Sequence, residues 1–126
     1  MKLVPVVVTA AILLSACKPP LCGPTSEARR EARLMTRRYP ADVSEAQMRE
    51  TMSKLEKVIT SNPRRDEGDR DFESLVTSAA KIRKHTSAME KPSSSVDQTR
   101  YLLANYQTER SRLTIGLDEL ARICGD

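Results

Sequence analysis

Few residues in this chain have chemistry to offer: cysteines at 17, 22 and 124, one histidine at 85, and carboxylates at Asp66, Glu67, Asp69 and Asp71. A thiol can be acylated, bridged or bound to a metal, so the cysteines set the range of possibilities. The carboxylates invite calcium, but they lack the spacing of a calcium loop with its central glycine and closing glutamate, and Arg70 interrupts them. No G-x-S-x-G elbow, glycine-rich phosphate loop or H-E-x-x-H helix occurs, so neither an enzyme activity nor a cofactor is expected. Cys17 closes the stretch Leu14-Ser15-Ala16-Cys17, which ends an apolar run that begins at Leu3 behind Lys2. That run matches the core of an export signal and is shorter than the roughly 20 residues needed to span a bilayer. No second apolar run follows it.

Leucine and two small residues ahead of a cysteine, behind a short positive start, resemble the lipobox of bacterial lipoproteins. The resemblance implies a diacylglyceryl thioether on Cys17, cleavage between Ala16 and Cys17, and acylation of the freed amine. Residues 1–16 are then a signal peptide, and 17–24, with Pro19, Pro20 and Pro24, a lipidated N-terminus and extended tether. Each buried methylene contributes about 0.8 kcal/mol, so two or three acyl chains hold firmly where one does not. The chain is expected in the cell envelope, anchored by Cys17 with no helix crossing the membrane. Lys18 stands where an aspartate would resemble an inner-membrane retention signal, so the resemblance points to the periplasmic face of the outer membrane.

With Cys17 assigned to lipid, Cys22 and Cys124 remain as a pair in a compartment that permits disulfides. His85 then has no second histidine and no spare cysteine with which to bind zinc, so no metal is expected. The formal charge of +4 is spread along a chain with three Tyr, one Phe and no Trp. Nucleic-acid binders concentrate their positive charge and interleave aromatics, so no nucleic acid is expected as a partner.

Residues 25–126 must supply whatever positions these groups. From Thr25 or Ser26 to Pro40 the chain has no breaker, and Ala28, Ala32, Met35 and Tyr39 recur on one helical face. Arg29, Arg33 and Arg37 share another, a solvated face or a docking surface for an acidic partner or lipid phosphates. Ser44 and Gln47 have capping-box spacing, with Val43 and Met48 set to staple across it. Met48, Met52, Leu55 and Ile59 then form a buried stripe as far as Asn62-Pro63. After a charged loop, a third helix carries Phe72, Leu75, Ala79, Ile82, Thr86 and Met89 at alternating spacings of three and four. A fourth, started by Ser95 and ended by Gly125, carries Val96, Leu103, Tyr106, Leu113, Leu117, Leu120 and Cys124.

Four amphipathic helices with short connections predict an all-α, up-down antiparallel bundle. In that topology the start of the first helix and the end of the fourth share one end, which is where Cys22 and Cys124 fall. A bridge there would close the bundle at its anchored end. Such a chain is expected to act as a protein–protein interaction or assembly factor with an envelope partner. In general form it resembles the helical pilotin lipoproteins that escort secretin subunits, through its lipobox, helical content and terminal cysteine pair. An exclusion or envelope-stress lipoprotein, or a small-ligand binder, is the alternative.

Overall fold

The computed structural model describes residues 19–63, 70–90 and 95–126. Residues 1–16, expected to be a signal peptide, Cys17 and the carboxylates Asp66, Glu67 and Asp69 lie outside the described residues. Four helices follow in order: α1 Cys22–Arg38, α2 Glu45–Thr60, α3 Arg70–Glu90 and α4 Val96–Cys124.

Ion pairs between neighbouring helices fix their directions. Along α2 and α3, Glu56 accepts a two-pronged pair of hydrogen bonds from Arg83 (2.8 and 3.1 Å), and Arg49 meets Glu90. Residue numbers rise on one helix as they fall on the other, so the pair is antiparallel. The same holds for α1 against α4, where Arg33 meets Asp118 (2.6 Å) and Arg29 meets Asp126. It holds again for α3 against α4, where Leu75 lies beside Gly116 and Lys81 beside Glu109. Each helix packs on its chain neighbours and α1 closes the ring on α4, leaving α1 diagonal to α3. The expected up-down bundle is the observed fold, with no strand among the described residues.

Local sequence explains the elements. Ser44 accepts from the Gln47 amide at 3.1 Å while the Gln47 side chain accepts from the Ser44 amide at 2.9 Å, a reciprocal cap that starts α2. Val43 and Met48 on either side of it are both buried. Met48, Met52, Leu55 and Ile59 are fully buried, as the spacing predicts, and so are Phe72, Leu75, Ala79 and Ile82 of α3. Four threonines are buried, and each hydroxyl donates to the carbonyl four residues back: Thr25 to Leu21, Thr36 to Ala32, Thr51 to Gln47 and Thr86 to Ile82. Their polarity is thereby satisfied within the helix itself.

Two expectations need correcting. Residues 22–24 are the first turn of α1 and not part of an extended tether. Proline is tolerated in a first turn, where its missing N–H would have no helical partner, and the Cys22 amide bonds to Pro19 O at 3.1 Å, turning the chain ahead of the helix. Along α4, Val96 and Leu103 follow the apolar stripe but are 70 % and 40 % exposed. With 29 residues, α4 is about 43 Å long at 1.5 Å per residue, while α1 has 17. With their starts and ends paired at the cysteine end, α1 stops short and leaves the first turns of α4 uncovered. No described helix is long and apolar enough to cross a membrane.

Candidate functional site

The cysteine end is built around the seam between α1 and α4, the sparsest of the helix interfaces. Cys22 and Cys124 form a disulfide across it, with Cα atoms 5.4 Å apart. Beside the bridge, Gly125 takes a left-handed conformation (φ 74°), which glycine adopts without penalty. The Gly125 amide bonds to Arg122 O at 3.3 Å and that of Asp126 to Ala121 O at 2.9 Å, so the chain turns back across the end of α4. That turn delivers the Asp126 carboxylate to Arg29.

Arg29 is only 4 % exposed, against the expectation of a solvated face. Its guanidinium donates from Nε to Thr25 Oγ1 at 2.9 Å, from Nη2 to Cys22 O at 2.8 Å and from Nη1 to Asp126 Oδ2 at 2.5 Å. Thr25 in turn donates to Leu21 O at 2.6 Å. A buried cation is tolerable only when it is paired and its donors are used, and here three different nitrogens find acceptors. The sequence carried a weak signal for this: residues 25, 29, 32 and 36 repeat at helical spacing, the observed inward face of α1.

A groove of about 250 Å³ runs along this seam, lined by Ser26, Arg29, Arg30, Arg33, Leu117, Ala121 and Asp126. Two of its three arginines are already matched, Arg29 by Asp126 and Arg33 by Asp118. Of the predicted set Arg29, Arg33 and Arg37, the structure therefore buries the first, pairs the second and leaves the third exposed. Arg30 and Arg38, which the spacing puts beside that set, are exposed with Arg37, and none of these three makes an ion pair among the described residues.

The opposite end presents the start of α4, with Val96 and Leu103 exposed on the continuation of its buried stripe and Tyr101 exposed on a different face of the helix. Just inside, Tyr39 and Tyr106 meet with ring centroids 4.8 Å apart and planes tilted by 59°. Burial pushes the Tyr106 hydroxyl up to about 12, and burial followed by the Glu45 carboxylate raises that of Tyr39. The Tyr39 hydroxyl donates weakly to Glu45 Oε1 at 3.3 Å, whereas that of Tyr106 is buried without a partner. His85 is half-buried on α3, and no group of three His, Cys, Asp or Glu side chains among the described residues is placed to hold a metal ion.

Comparison with protein families, curated proteins and solved structures finds no match to this chain.

Proposed function

We propose that the chain is a lipid-anchored interaction or assembly factor of the cell envelope, held by acyl groups on Cys17 to the periplasmic face of the outer membrane. In this reading it receives an envelope protein at the end remote from the anchor; the pilotin-type lipoproteins it resembles in general form escort secretin subunits. The single observation that carries the reading is the separation of its two ends. The described fold begins at Pro19, two residues after the lipobox cysteine, on the disulfide end. The uncovered start of α4, with Val96 70 % and Leu103 40 % exposed, lies at the other. Exposed apolar side chains that continue a buried stripe offer an amphipathic segment a ready-made seam, as in helix-in-groove recognition.

A ligand in the α1/α4 groove would meet Arg29 and Arg33 already holding their own carboxylates. The interaction reading asks nothing further of those groups.

The test has two arms. In the native host, Cys17→Ser should shift the chain from the membrane to the soluble fraction or stall it uncleaved, and the mass of the native N-terminal peptide should include the acyl groups. A photo-crosslinker replacing Val96 should capture one envelope protein, and Leu103→Asp should abolish the product. A serine variant that is cleaved and still fractionates with the membrane rejects the anchor, and the absence of any specific product from position 96 rejects the partner.

A further inference from the structure

The outer face of α1 is cationic around one apolar side chain. Arg30, Leu34, Arg37 and Arg38 are spaced by four, three and one, which places them together on the helix surface. All four are exposed, Leu34 by 52 %, and the three arginines have no ion pair among the described residues. Glu27 is the exposed carboxylate on the same side, so the face keeps a positive excess. No described residue of the bundle pairs with it: the core lies behind Thr25, Arg29, Ala32 and Thr36, and Arg33 is turned to Asp118 on α4.

We infer that this face of α1 is a second membrane contact, in which Arg30, Arg37 and Arg38 engage anionic lipid headgroups and Leu34 enters the acyl boundary. The inference rests on acylation at Cys17, because that supplies proximity. Only Lys18 separates Cys17 from Pro19, where the described chain is already turned towards α1. Two residues span at most about 7 Å, so the first turn of α1 stays at the bilayer surface. A bundle so closely held can tip until α1 lies along the headgroups, with its arginines beside the lipid charge and its apolar residue at the boundary. A protein partner would have to reach this face between bundle and membrane, which favours lipid as the occupant.

The chain has no tryptophan, so a single introduced indole reports its own surroundings. Native acylated protein carrying Leu34→Trp would be reconstituted on phosphatidylcholine vesicles with and without phosphatidylglycerol, each also containing brominated phosphatidylcholine. With phosphatidylglycerol the emission should shift to the blue and be quenched, and added salt should reverse both effects. Ser74→Trp, on the exposed side of α3 diagonal to α1, should respond to neither lipid. Arg30→Gln, Arg37→Gln and Arg38→Gln should each lower the ratio of docked to undocked protein roughly fivefold. Equal emission on both vesicles, or a response that survives the triple substitution, overturns the inference and leaves the face to an acidic protein. Failure of the protein to float with either vesicle removes the anchor and this contact with it, whereas flotation without a response at position 34 removes the contact alone.

Discussion

Arg29 and Asp126 stand 97 positions apart and meet in a hydrogen-bonded ion pair beside the disulfide, one partner 4 % exposed and the other 40 %. The two ends of that pair should not be equivalent. Arg29→Ala removes three donors and the packed stem of a buried side chain, and should cost about 2–3 kcal/mol. Asp126→Ala leaves the guanidinium its bonds to Thr25 and Cys22, and removes a partner screened by water, so about 1 kcal/mol is expected. Urea denaturation of the two variants decides this, and a larger loss from the aspartate would mean that the pair, and not the buried network, holds the seam.

The Cys22–Cys124 bridge spans a sequence separation of 102 and closes the sparsest interface. In the chain-entropy account a loop of about 100 residues stabilises by about 4–5 kcal/mol, through the unfolded state more than the folded one. Cys22→Ser with Cys124→Ser should lose that amount, and reductant should produce the same loss in the unmodified chain. A loss below about 1 kcal/mol would show that the seam closes without the bridge.

How much of this could be read from the sequence depends on how local the cause was. The Ser44–Gln47 cap and the Met48, Met52, Leu55 and Ile59 stripe arise within one helix, and spacing alone reveals them. The cysteine pairing required the lipobox resemblance to set Cys17 aside, after which the four-helix topology brings Cys22 and Cys124 to one end. Arg29 looked like its neighbours Arg30 and Arg33 because its burial is decided by Thr25 and by Asp126, the latter delivered by the turn at Gly125. Val96 and Leu103 carry the right periodicity, but periodicity says which face is apolar and not how far a neighbouring helix reaches. Pro24 reads as a breaker unless the helix start is already known to precede it.

Gly116 is a similar case, weak by propensity and explained by packing. A Cβ added there would stand 3.1 Å from Leu75 Cδ2, inside the buried α3/α4 contact. Gly116→Ala should gain up to about 1 kcal/mol of helix propensity and lose about as much to crowding, leaving stability near its starting value. Gly116→Leu has no such compensation and should destabilise by about 2–3 kcal/mol. Thermal melts of both variants test the contact, and tolerance of leucine would mean that α3 and α4 can part at this point.

Tyr106 and Tyr39 both make stability fall at alkaline pH. The Tyr106 hydroxyl is buried without a hydrogen-bond partner and burial holds its pKa at about 12, against 10.0 for the free side chain. Between those values the unfolded chain gives up the phenolic proton while the folded chain keeps it. The folded state then binds more protons, so the contribution is complete below pH 10 and declines as pH rises towards 12. Tyr39, raised by burial and then by Glu45, acts in the same direction. Tyr106→Phe removes a buried polar atom that has no partner, and should stabilise the protein at neutral pH by about 1 kcal/mol while making the alkaline decline shallower. Tyr39→Phe gives up a weak bond to Glu45 and should bring no gain at neutral pH. Urea midpoints followed from neutral pH into the alkaline range would separate the two, and a loss of stability in Tyr106→Phe at neutral pH would show that its hydroxyl has a partner after all.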